Sequence, residues 1–130
     1  MARTCIALGS FLALVAVAAG AFGAHALEDL PDHQLQWWDT AATYHMYHAL
    51  GLLLAAWIGT HYAPRLVAIA TVLFVLGIVL FSGSLYGMAL SERITGDEQR
   101  WLGAITPFGG VSFLIAWALL AIAPCLHPRP

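Results

Sequence analysis

The chain has 130 residues, of which 61% are hydrophobic and only 9% charged, with a net charge of −2. That balance leaves too little polar surface for a soluble domain of this size and too few cations for a nucleic-acid partner or a polybasic lipid patch. It places the chain among integral membrane proteins, as a single membrane domain over residues 1–130.

A membrane-crossing helix needs about 20 mostly apolar residues, because its backbone polar groups must be paired internally. The first such stretch, 5–27, contains no Asp, Glu, Lys or Arg. Arg3, the apolar run and Ala24-His25-Ala26 also resemble a signal peptide, but a signal core is about 7 to 15 residues long. This run is longer, so an uncleaved helix is expected. Ala16, Gly20 and Ala24 repeat every four residues and predict a packing stripe, since helices in lipid associate through close backbone contact. His25 lies near the end of the span, with Glu28 one turn on as a partner.

Residues 28–40 read as an acidic loop holding Asp29, Asp32 and Asp39. His33 there is a solvated residue, and Trp37 and Trp38 are interfacial aromatic anchors. The second span, 41–62, opens with Tyr44-His45-Met46-Tyr47-His48, placing two imidazoles where polar groups are expensive and usually tied to a purpose. His45 and His48 share a helical face that continues inward to Leu52 and Ala55, and Gly51, Ala55 and Gly59 form a second small-residue stripe.

The break around Pro64 is short enough only for a tight antiparallel turn, with His61 at its edge. The third span, 66–90, carries Ser82, Ser84 and Tyr86 near its end, with Gly83 and Gly87 as a GxxxG packing motif. After a charged loop, 91–100, the fourth span occupies 101–125, with Trp101 as a further interfacial anchor. Thr106-Pro107 fits either a kink within it or a late helix start that leaves Trp101 to Ile105 as an interfacial segment.

The expected fold is therefore all-α: an integral membrane bundle of four transmembrane helices in antiparallel up-down topology. Alternation puts both termini and the Pro64 turn on one side, with Arg3, Arg65 and Arg129. Arg93 and Arg100 lie on the other with all seven acids. Counting basic residues leans toward cytoplasmic termini in a bacterial inner membrane. Cys5 and Cys125 then both lie at the reducing end, where a structural disulfide is not expected. His127 is an ordinary edge residue.

Placed by depth, the polar side chains of all four spans gather in one half of the bundle: His25, His45, His48, Ser82, Ser84, Tyr86 and Thr106. These are the candidate ligand-binding residues. Each histidine alone reads as interhelical glue, but three converging near Tyr44 and Tyr47 read as a site. No cofactor is specified. His25, His45 and His48 are the candidate ligands of a metal, and His25 with His45 is the better-matched pair for a haem.

Four ordered stretches resemble a known family: Ala21-Phe-Gly-Ala-His-Ala26, Tyr44-His-Met-Tyr-His-Ala-Leu50, Leu80-Phe-Ser-Gly-Ser-Leu-Tyr86 and Ile105-Thr-Pro-Phe-Gly-Gly110. They are similar to the YgdD-like small membrane protein family (domain of unknown function 423, transmembrane protein 256 type). The resemblance covers essentially the whole chain and implies a four-helix integral membrane protein without implying an activity.

Three classes of function compete. A small dimeric transporter would use a histidine relay, because the spans contain no carboxylate. A serine enzyme would pair Ser82 or Ser84 with His45 or His48, a geometry that the spacing does not enforce. The expected class is a non-enzymatic binding or accessory protein. Beyond the bilayer, its partner would be a lipid, a quinone, a partner helix or a second copy in a homo-oligomer.

Overall fold

The computed structural model describes residues 2–126, and among them every regular element is helical. His127 and Arg129 lie outside the described residues. The elements are α1 (Ala2–Ala26), α2 (Asp32–His61), α3 (Pro64–Gly77), a π-helical segment (Ile78–Ser82), α4 (Gly83–Thr95), a 3-10 turn (Arg100–Ala104) and α5 (Thr106–Leu126). From Pro64 to Thr95 the chain runs as one rod. Pro64 opens that rod at a first-turn position where its missing N–H costs nothing. Gly96, left-handed at φ 83°, closes it by donating its N–H to the Glu92 carbonyl.

Three of the rods, Ala2–Ala26, Pro64–Thr95 and Arg100–Leu126, are long and apolar enough to cross a membrane. The fourth, α2, is 30 residues long, but its first part is polar with Asp32, His33, Gln34, Gln36 and Asp39. The packing follows membrane logic. Much of the interior is alanine, including Ala41, Ala49, Ala55, Ala70, Ala89 and Ala116, whereas Leu14, Val17, Val72, Val79 and Leu114 face outward. Small residues inside let backbones approach, and large apolar ones outside meet acyl chains.

The close approaches fall largely on glycines outside the expected stripes. Gly9 faces Leu53, the Ala49 carbonyl and Leu52, and Gly23 faces the Trp38 indole, so α1 and α2 lie side by side along most of their length. The buried positions of α1 are Cys5, Gly9, Ala16 and Gly23. Their seven-residue spacing from Gly9 onward is that of a seam between slightly supercoiled helices. Of the others expected in that stripe, Gly20 is half-buried with nothing among the described residues within 4 Å of where a Cβ would stand, and Ala24 is exposed. Gly51 and Ala55 do pack, with Gly51 against Phe74 and Trp117. The GxxxG residues Gly83 and Gly87 are both exposed, and only Leu102 approaches Gly87. Gly77 against the Phe113 ring and Gly109 against the Phe81 backbone bring α5 onto the third rod instead.

Two boundaries differ from those read in the sequence. α2 begins at Asp32 rather than 41, because Pro31 starts the helix and Gln34 is fully buried, its Nε2–H donating to Glu92 at 2.6 Å. The acidic 28–40 segment is therefore mostly helix. Trp38, expected at the interface, is buried against α1 and donates its indole N–H to the Ala19 carbonyl at 2.8 Å. At the fourth span the late start holds: α5 begins at Thr106, and Trp101 sits in the 3-10 turn with 63% of its surface exposed. Both cysteines are free, Cys5 buried 3.6 Å from the Thr71 hydroxyl and Cys125 exposed.

Candidate functional site

The seven candidate residues do not form one cluster. Ser84 and Tyr86 are two positions apart on a helix, so they project to nearly opposite sides. Ser84 faces α5, where its hydroxyl lies 2.7 Å from that of Thr106 and also donates to the Phe81 carbonyl at 2.9 Å. Tyr86 faces α2, its ring tilted 58° against Trp38 at a centroid distance of 4.6 Å and its hydroxyl 3.5 Å from His45 Nδ1. Among the described residues Ser82 Oγ, fully buried, has no hydrogen-bond partner, and His45 Nε2 is buried and unpartnered in the same way.

His25 is exposed, apart from both other histidines. Gly23 meets Trp38, so His25, two residues beyond Gly23, is level with the polar beginning of α2. That leaves about nine residues, roughly 13 Å along the axis, between it and His45. The offset follows from the early start of α2, which slides the histidines inward relative to α1. Among the described residues no three His, Cys, Asp or Glu side chains stand where they could hold one metal ion. His25, His45 and His48 therefore do not fit a shared metal, and His25 and His45 do not match in depth as a haem pair.

His48 occupies a different setting. Its ring lies flat on Phe113, with centroids 3.3 Å apart and planes 4° from parallel, and Phe74 and Trp117 close around it at 5.7 Å and 6.2 Å. Nδ1–H donates to the Tyr44 carbonyl one turn back at 2.6 Å. A carbonyl can only accept, so Nδ1 carries the proton and a neutral ring has its lone pair at Nε2. Nε2 has no hydrogen-bond partner among the described residues and, unlike Nε2 of His45, is not sealed from its surroundings.

What lies beside it is a cleft of about 780 Å³ between α2 and α5. Tyr44, Tyr47, Phe81, Phe113 and Trp117 contribute its aromatic walls, and Gly110, lacking a side chain, leaves its floor open. Val111 and Leu114 stand at the rim, and Leu114 is 71% exposed on the outward face, so the cleft opens sideways from the bundle rather than toward either end. The size is that of small-molecule clefts generally. Sequence reasoning singled out His48 but missed the aromatic box. Phe113 and Trp117 look like ordinary span residues, and only their position one and two turns below Gly109 marks them.

Outside the apolar stretches, two ionic contacts tie the α1–α2 turn and the start of α2 to the end of the third rod and the segment after it. Arg93 bonds Asp29, and that bond, aided by a backbone N–H, holds the Asp29 carboxyl below its usual range. Glu98 is held low by Arg100 first and then by His33, whose Nε2 lies 2.7 Å away. His33 is solvated, as expected, but paired. His61 is half-buried at the end of α2 beside the Thr60 hydroxyl and the Trp57 carbonyl.

Comparison with known proteins agrees with this membrane architecture. A family model described as "Protein of unknown function (DUF423)" matches residues 19–110. The "UPF0382 membrane protein YwdK" of Bacillus subtilis is 48% identical over 124 residues, covering 91% of this chain and 93% of the relative. A "UPF0382 membrane protein" of Staphylococcus epidermidis is 49% identical over 119 residues, covering 91% and 92%. No solved structure matches. With the matched residues spanning more than half of its length and relatives this similar over nearly all of it, the chain belongs to the DUF423 family of membrane proteins.

Proposed function

We propose that the protein is a non-enzymatic binding or accessory protein that takes a small amphiphilic molecule from the bilayer into the cleft between α2 and α5. One observation carries the reading: an imidazole with a free, reachable Nε2 stands on the wall of an otherwise apolar, laterally open cleft. A polar group at that depth is costly unless it serves a purpose. His45, Ser82, Ser84, Tyr86 and Thr106 set the spacing of the helices around the cleft rather than touching its occupant. The bundle spans the membrane four times in up-down order. Support comes from the contacts of Gly9 with Leu53, Gly23 with Trp38, Gly77 with Phe113 and Gly109 with Phe81, which pair successive rods in opposite senses. The arginine distribution supports cytoplasmic termini in a bacterial inner membrane.

The test is extraction of the protein in a mild detergent, followed by native mass spectrometry and analysis of co-purifying lipids. Leu114→Trp fills the cleft from an exposed position without disturbing the packed interior. The wild type is expected to retain a small amphiphile that the variant loses. Identical bound-molecule profiles would refute the proposal, and a partner helix seated in the cleft would appear as a dimer mass abolished by the same substitution.

A further inference from the structure

The hydrogen-bonding state of His48 restricts what the cleft selects, and from it we infer that the occupant is a lipid-soluble phenol or hydroquinone, bound in preference to the corresponding quinone. This inference rests on the reading of the cleft as a binding site and adds its ligand chemistry.

The argument begins with the proton on Nδ1. The Tyr44 carbonyl, 2.6 Å away, keeps it there, and the tight stack on Phe113 prevents the ring from turning to exchange its nitrogens. Nε2 is the nitrogen left free and the cleft is the opening that His48 borders, so neutral His48 would act toward the cleft as an acceptor, and its partner must bring an O–H or N–H. A carbonyl oxygen facing Nε2 would meet a lone pair with no proton between them. That mismatch leaves both acceptors without a donor. Tyr44 and Tyr47 also line the cleft, but a phenol hydroxyl both donates and accepts, so either would serve quinone and hydroquinone alike. Only His48 discriminates between the two.

The remaining chemistry is in the walls. Tyr44 stacks on Phe81 with centroids 4.7 Å apart and planes 29° from parallel, and Phe113 continues that surface toward Trp117. A planar ring gains more than a flexible alcohol from such walls, because aromatic faces attract beyond their buried area. The rim residues Val111 and Leu114 face acyl chains, so a ligand's alkyl tail can remain in the bilayer while its ring enters. A charged headgroup has no counter-ion here, since among the described residues no Arg, Lys, Asp or Glu lines the cleft. That excludes a phospholipid head as the recognised part.

The probes are decylubiquinol, decylubiquinone and 1-decanol, with binding measured to the full-length protein in nanodiscs and corrected for partition into empty discs. Wild type is expected to bind the hydroquinone about 3- to 10-fold more tightly than the quinone, the range that one net hydrogen bond supplies. Decanol should bind more weakly than the hydroquinone. In His48→Phe, which preserves the aromatic stack, the hydroquinone-to-quinone ratio should fall to one. The central comparison uses two oxidation states on the unaltered protein, so it stands even if that variant does not fold. Equal affinities in wild type, both abolished by Leu114→Trp, would overturn the inference while leaving the cleft as a binding site. Tighter decanol than hydroquinone binding would overturn it as well. Binding of neither form above that of Leu114→Trp would overturn the cleft reading and this inference together.

Discussion

Adding one methyl group at Gly109 is the sharpest probe of how α5 meets the third rod. A Cβ there would stand 2.7 Å from Phe81 Cβ and 2.8 Å from Phe81 Cα. Carbon atoms in favourable contact are about 3.5–4.0 Å apart, so α5 would have to retreat by roughly 1 Å. The obstructing atoms lie in or next to the backbone of the π segment and cannot swing aside as a flexible side chain would. Overpacking of this kind costs about 1–3 kcal/mol, and backbone obstruction puts Gly109→Ala at the upper end. The helix preference for alanine returns up to about 1 kcal/mol, leaving a net loss of roughly 2 kcal/mol. Gly110→Ala is the control. Its Cβ would meet only the edge of the Phe81 ring at 3.9 Å and 4.0 Å, so it should gain up to about 1 kcal/mol. The two neighbouring variants should thus differ by about 3 kcal/mol, on the order of a hundredfold in the folded-to-unfolded ratio. Unfolding in mixed micelles of rising denaturing-detergent content, followed by circular dichroism, measures the difference. Equal stability of the two variants, or a more stable Gly109→Ala, would refute the close-approach argument.

Trp38→Phe removes the indole N–H that bonds the Ala19 carbonyl and should cost about 1 kcal/mol in the same assay. Trp101→Phe, on the exposed 3-10 turn, should change nothing measurable; a Trp38 variant as stable as wild type would show that the indole bond contributes no net stability. The ionic contacts predict a direction with pH. Asp29 and Glu98 are held below their ordinary values of 3.8 and 4.5, so each binds its proton less readily folded than unfolded. Their stabilisation is complete above the ordinary carboxylate range and is lost as pH falls through the depressed folded values. The contribution of these two carboxylates should therefore be constant from neutral pH down to that range and be lost below it, so the acid-side fall in melting temperature is less steep in an Asp29→Asn, Glu98→Gln double variant. Superimposable profiles would mean that these carboxylates contribute nothing.

The rods themselves are readable in the sequence because charge-free apolar runs of this length have few alternatives in lipid. Helix ends are readable where Pro64 and Thr106-Pro107 mark them, but not at Asp32, where polar residues continue a helix past the point that hydropathy alone suggests. That extension has physical support from Gln34 buried against Glu92 and Trp38 buried against α1, both of which depend on tertiary contact. The same shift explains why His25 fails to meet His45. Small-residue spacing located true contacts at Ala16, Gly51 and Ala55. It misassigned Gly83 and Gly87, because a GxxxG motif does not say which way it faces. His48 stood out by its chemistry, whereas the box around it depends on Phe81, Phe113 and Trp117 arriving from two other helices, which no local pattern records.

A π-helical segment amounts to one residue more than an α-helix would use over the same length. At Ile78–Ser82 the wide turn absorbs that surplus residue locally, so α3, whose Gly77 meets Phe113, and α4, whose Tyr86 meets Trp38, keep the phase of one continuous helix. Deleting one residue there would restore the ordinary ladder and leave Tyr86 facing Trp38 and Ser84 facing Thr106, whereas a deletion in the α-helical turns on either side would swing everything downstream by about 100°. The length of this stretch is thus less tightly constrained than that of the turns flanking it. Relatives one residue shorter across it can keep the same architecture, but one shortened within a flanking turn would need a different set of neighbours.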